Sequence, residues 1–132
     1  MKIFNKAKPW TSKVNFVDDN NLILGYDLDQ NCCEHASWFF SNEIKEFSRK
    51  EAEDLENSRD NSTIIVMEDW NFDKTFHQKI KVRWIDSGEM IAFRIVKDSE
   101  EKFIILYNSH NGYYSHGFQF KENNSEIISG NL

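Results

Sequence analysis

The chain has 132 residues, with 16 lysines and arginines against 22 aspartates and glutamates, a net charge of −6 and 14% aromatic residues. That length suits one domain with a core that needs no disulfide or metal staple, and one proline and five glycines exclude a low-complexity or linker-like chain. The longest apolar runs, Thr63–Met67 and Phe103–Tyr107, fall far short of the roughly 20 residues a membrane helix needs.

Residues Met1–Pro9 carry charge but no apolar stretch, so they do not read as a signal peptide. The expectation is a soluble, cytoplasmic protein: one domain over 1–132, with 1–12 and 122–132 as arms. From Val14 the pattern has period two, the signature of strands. Val14 and Phe16 lead to a turn at Asp18–Asn21. Leu22, Leu24, Tyr26 and Leu28 then alternate with Ile23, Gly25 and Asp27, giving a β-hairpin. It runs into Gln30-Asn31-Cys32-Cys33-Glu34-His35, which holds both cysteines. Trp38-Phe39-Phe40 reads as core rather than as a ligand cage. Ser41 is the expected cap of a helix running towards Leu55, with Ile44, Phe47 and Leu55 as its apolar stripe.

Residues 51–73 hold eight acids against Arg59 alone, a local net of −7. This block reads as a solvated helix face and following turn, with an acidic interaction surface as the alternative. It opposes phosphate backbones, so nucleic acid is not an expected partner. Residues 57–62 read as a loop and Thr63–Met67 as a strand. Ile80, Val82 and Trp84 then share one strand face. Ile91, Phe93 and Ile95 share another, after a turn at Asp86–Glu89. Phe103–Tyr107 is apolar on both faces, as a central covered strand would be. Beyond the Asn108–Gly112 turn, Tyr114, His116, Phe118 and Phe120 share a face. Short connections predict a C-terminal antiparallel meander. The fold class is therefore α+β and β-rich: a twisted antiparallel sheet of about six to seven strands with one helix.

At Asp29-Gln30-Asn31-Cys32-Cys33-Glu34 and Ser109-His110-Asn111-Gly112-Tyr113-Tyr114-Ser115 the chain resembles a family of small bacterial and phage domains of unknown function. In that family a strand runs into Gln-Asp-Cys-Cys-Glu, and a late strand leads to Ser-Asn-Gly-Tyr-Tyr-Ser. Here Asn31 stands between Gln30 and Cys32, and His110 is inserted between Ser109 and Asn111. The resemblance covers about residues 14–38 and 80–121. It implies a β-rich fold and no particular activity.

Several chemistries stay open for these residues. Cys32, Cys33, His35, His110 and His116 supply enough nitrogen and sulfur donors for a four-coordinate metal. Adjacent cysteines on a strand point to opposite faces, however, and suit one ion poorly. Their short Cα separation also argues against a mutual disulfide, and two reduced thiols, one of them packed as a small hydrophobe, is the simpler reading. A thiolate would need a cationic neighbour or a helix N-terminus, and Glu34 opposes it; His110 or His116 could pair with a cysteine. Asp27, Asp29 and Glu34 could form an acid–base pair. Asn111-Gly112 is a strong hairpin-turn signal, with Tyr113, Tyr114 and His110 as a binding tip. His116 reads as a hydrogen-bonded core histidine. No nucleophile elbow, phosphate-binding glycine loop or His-Glu-x-x-His pattern occurs, and no cofactor is called for. The expected function is a non-enzymatic protein-interaction or accessory module of bacterial or phage origin, with another protein as its partner. The alternative is a metal-binding or thiol-dependent site built from Cys32, Cys33, His35 and the 108–116 hairpin.

Overall fold

The computed structural model describes residues 1–6, 12–29, 34–109 and 115–132. The described elements are, in order, β1 (Lys2–Lys6), β2 (Lys13–Val17), β3 (Leu22–Asp27), β4 (His35–Ser41), α1 (Arg49–Asn57), β5 (Ile64–Val66), β6 (Asn71–Ile80), β7 (Met90–Lys97), β8 (Glu100–Ser109), β9 (Gly117–Glu122) and β10 (Ser125–Asn131). The strands form two antiparallel sheets, six strands in the order β10-β9-β3-β2-β1-β5 and four in the order β4-β8-β7-β6. The β-rich class with one helix stands, but the strands are shared between two sheets.

Side-chain alternation accounts for the layers. Val14, Phe16, Leu22, Leu24 and Tyr26 point from β2 and β3 into a core shared with Trp38, Ile91, Phe93, Ile95, Ile104 and Leu106 of the smaller sheet. Rings interlock there edge to face, Phe16 with Trp38 at 5.1 Å and Phe93 with Phe120 at 5.2 Å. The opposite face of the smaller sheet carries Phe39, Met90, Ala92, Phe103, Ile105 and Tyr107. Together with Ile80 of β6, it is covered by Phe47, Ala52, Val82 and Ile85. The smaller sheet is thus buried on both sides, which explains the unbroken apolar run of β8. The six-stranded sheet buries one face in the shared core, while Ile23, Ile64 and Val66 on the other face remain exposed.

Four expectations need correction. β6, β7 and β8 form a meander, but β9 does not extend it. β8 already lies between β7 and β4, so no edge is left, and β9 pairs with β3 and β10 in the other sheet. The helix starts at Arg49, not near Ser41. Ser41 ends β4, and its hydroxyl donates to the Glu43 carbonyl at 2.7 Å. The cap is Ser48, whose Oγ accepts from the Glu51 N–H at 3.1 Å while Glu51 Oε1 accepts from the Ser48 N–H at 3.0 Å, a complete capping box. The strand expected over Ile80–Trp84 stops at Ile80. Val82 and Ile85 are buried from a loop instead, and the Trp84 indole N–H donates to the Phe47 carbonyl at 2.8 Å. A Cβ on Gly88 in that loop would lie 1.6 Å from the Asn108 carbonyl oxygen, so only glycine lets the loop lie against β8. Finally, the segments read as arms supply β1, with Ile3 fully buried, and the edge strand β10.

Asp18 ties the two sheets together. Its Oδ1 accepts from the Asn20 and Leu22 N–H groups at 3.0 and 2.9 Å, closing the β2–β3 turn. Its Oδ2 accepts from Phe72 N–H at 3.0 Å, on β6 of the other sheet.

Candidate functional site

Cys32, Cys33, His110, Asn111, Tyr113 and Tyr114 lie outside the described residues, and so do the cysteine–imidazole distances that a thiol or metal site would need. Glu34, His35 and His116 are described, and they belong to two separate clusters. His116 is 1% exposed. Its Nε2 lies 2.8 Å from Glu34 Oε1, its Nδ1 3.0 Å from the Asp27 carbonyl oxygen and 3.6 Å from Asp27 Oδ2. The His116 backbone exchanges both hydrogen bonds with Leu132, at 3.1 and 2.9 Å. Asp27 and Glu34 therefore flank one buried imidazole. Asp29 serves the backbone, accepting from the Ser12 N–H.

His35 opens β4 and turns towards α1. Its Nε2 lies 2.9 and 3.0 Å from the two Glu56 oxygens, and the Tyr107 hydroxyl donates to Glu56 Oε1 at 3.2 Å. Burial acts to raise the Glu56 carboxyl, but hydrogen bonds from His35 and Ser37 outweigh it and hold the group below its ordinary value. The same bond to Glu56 raises His35, against the smaller effect of burial. Burial, and then the Glu56 charge, push the Tyr107 hydroxyl up. Arg59, just past the helix, stacks on Trp38 at 4.5 Å and donates to Ser37 Oγ at 3.1 Å and to the Trp38 carbonyl. In the sequence Glu56 and Arg59 stand only as part of the charged 51–73 block. Nothing local marks them, because their partners lie about 20 residues upstream and, for Tyr107, 51 residues downstream.

Chemically, both clusters are internally paired. The imidazoles of His35 and His116 each direct Nε2 at a glutamate, so a metal at either cluster would have to displace it. Among the described residues no group of three or more His, Cys, Asp and Glu side chains is placed to hold a metal ion.

The outer face of the six-stranded sheet is different. Its cross-strand register sets side chains in rows. One row runs Val66, Lys2, Val17, Ile23, Lys121, Glu126, and the next Ile64, Phe4, Asn15, Gly25, Gln119, Ser129. Towards β10, β9 and β3 lies a groove of about 910 Å³ of mixed character, lined by Asn15, Gln119, Ser129 and Asn131 and also by Val17 and Ile23. Gly25 keeps its floor open, since a Cβ there would lie 2.9 Å from Asn15 Oδ1. The β5–β1 end is mainly apolar around the exposed Lys2, which stands between Val66 and Val17. Phe4, Val17, Ile23, Ile64 and Val66 occupy adjoining positions, with Ile23, Ile64 and Val66 exposed by 39, 57 and 58%. No sequence motif announces this patch, because it exists only once β5 has paired with β1 across some 60 residues.

No family model, curated protein or solved structure matches the chain. Among the described residues no helix is long and apolar enough to cross a membrane.

Proposed function

We propose that the chain is a non-enzymatic protein-interaction module whose partner polypeptide lies on the apolar end of the outer face. The observation that carries the reading is the adjoining placement of Phe4, Val17, Ile23, Ile64 and Val66 on a sheet face where Ile23, Ile64 and Val66 remain exposed. Fully burying one such side chain is worth about 1.5–3 kcal/mol, so a partner that covers them gains affinity from this patch. The lack of an assembled catalytic motif in the sequence favours binding over turnover. The resemblance to small bacterial and phage domains fits an accessory role, and a reducing cytoplasm suits two adjacent thiols.

The test places a photoreactive amino acid at position 23, with position 50 on the helix as control, in cells that express the chain. The captured protein is then purified and titrated against the chain. Capture from position 23 but not 50, with Ile23→Asp weakening the purified complex at least tenfold, is expected. Capture from position 50 alone, no capture at position 23, or an affinity unchanged by Ile23→Asp overturns the reading.

A further inference from the structure

An open sheet edge is a template for another strand, and proteins normally guard it with bulges, charges or covering elements. Three of the four edges here are guarded. β10 carries a register shift between Glu126 and Ile128. β6 carries one between Phe72 and His77, and its Phe72 N–H is taken by Asp18. Along β4 lies α1, and Arg59 donates to the Trp38 carbonyl.

The fourth edge, β5, is short, three residues, but among the described residues it carries no bulge and its outward backbone groups meet no partner. Met67 N–H donates to the Met1 carbonyl at 2.9 Å, and Asn5 N–H to the Thr63 carbonyl at 2.8 Å. Antiparallel pairs alternate between hydrogen-bonded and non-bonded. Ile3 and Ile65 are therefore a bonded pair, while Lys2 with Val66 and Phe4 with Ile64 are not. The N–H and C=O groups of Ile64 and Val66 consequently point away from β1, into the open edge. Their side chains are exposed by 57 and 58%.

Charge says what can lie there. Exposed acids bracket the strand, Asp60 before it and Glu68 and Asp69 after it. Hydrogen bonds from Ser62 hold the Asp60 carboxyl below its usual range, so it stays ionised. A second copy would bring its own acids against these, whether the two strands ran parallel or antiparallel, and like charges oppose that pairing.

We propose that the β5 edge accepts an extended segment of another protein as an added strand, with aliphatic side chains beside Ile64 and Val66 and a lysine or arginine at each end, meeting Asp60 and the Glu68–Asp69 pair. This rests on the interaction-module reading and adds the docking mode and the chemistry of the partner.

The probe is a seven-residue synthetic peptide with valine at alternate positions, threonine between them and a lysine at each end, titrated into the whole, isotope-labelled chain. Two companions carry glutamate ends, or N-methyl groups on the amides that would join the ladder. The largest amide shifts are expected at Ile64 and Val66. The glutamate-ended and N-methylated peptides are expected to bind at least tenfold more weakly. Val66→Pro removes an outward N–H while leaving the Met67 bond to Met1, which an edge strand tolerates, and is expected to abolish binding with the rest of the spectrum retained. No binding of the lysine-ended peptide at millimolar concentration overturns the proposal. So does equal binding of the three peptides, a result that needs no variant at all. If the captured partner is lost with Ile23→Asp but kept with Val66→Pro, the outer-face reading stands and the edge proposal falls.

Discussion

His35 and Glu56 set opposite limits of one pH window. His35 is raised above its ordinary 6.5 by its bond to Glu56, so its contribution to stability is full below that value and is lost as pH rises through the raised one. Glu56 is held below its ordinary 4.5, against the opposing effect of burial, so its contribution is full above 4.5 and is lost as pH falls through the depressed value. The pair therefore supports the fold best between those two ordinary values. Glu56→Gln removes the charge and the strong acceptor, and the His35 ring should then titrate at a lower pH, read from its ring-proton NMR shifts. An unmoved midpoint would show that Glu56 does not hold the imidazole. Residue by residue, such partnerships were the least legible part of the sequence. Glu34 stands beside His35 in the chain, yet its carboxylate faces His116, 82 residues away. His35 in turn finds Glu56. Side chains alternate along an extended chain, so neighbours in sequence are sent to opposite sides of the sheet.

At the scale of elements, α1 shows how a short helix is fixed by its first turn. It spans nine residues, Arg49–Asn57, with only Ala52 buried, so intrinsic propensity and capping weigh heavily. Ser48→Ala should destabilise the protein by about 1 kcal/mol. Urea unfolding would measure it, and Ser48→Asp should restore most of the loss. The Ser48-x-x-Glu51 spacing is a capping-box signature in the sequence, whereas Ser41, the expected cap ahead of Ile44 and Phe47, belongs to β4. Phe47 is indeed buried, against Phe39 at 5.3 Å, but from the segment before the helix. The hairpin β2–β3 and strands β7 and β8 were legible because each keeps strict period two or a fully covered run. β6 was not. Phe72, Phe76 and Ile80 recur every four residues, and the register shift between Phe72 and His77 sends Phe72 into the inter-sheet core while Phe76 and Ile80 join the other one. A bulge erases the periodicity on which strand reading depends.

At the scale of the whole molecule, the three layers divide the work unequally. The smaller sheet is enclosed between two cores, whereas the larger one turns its outer face to water along six strands. The composition could foretell a β-rich chain, but not which face would remain open, because that depends on β5 joining β1 and on β9 leaving the meander. The acids that bracket β5 have a further consequence for the chain before it folds. Thr63–Met67 is a proline-free, strongly β-forming apolar run of the kind that seeds aggregation. Asp60, Glu68 and Asp69 then stand as gatekeepers on either side of it. Neutralising them together, as Asp60→Asn, Glu68→Gln and Asp69→Asn, should leave the native fold in place, since asparagine tolerates the left-handed backbone of Asp69 (φ 65°). Refolding from urea should nevertheless scatter light where the parent chain stays clear. If the triple variant refolds as cleanly as the parent, the acids serve only the native surface. If it clouds, the same three charges that select a partner for the finished sheet also protect the nascent polypeptide while that sheet is still unmade.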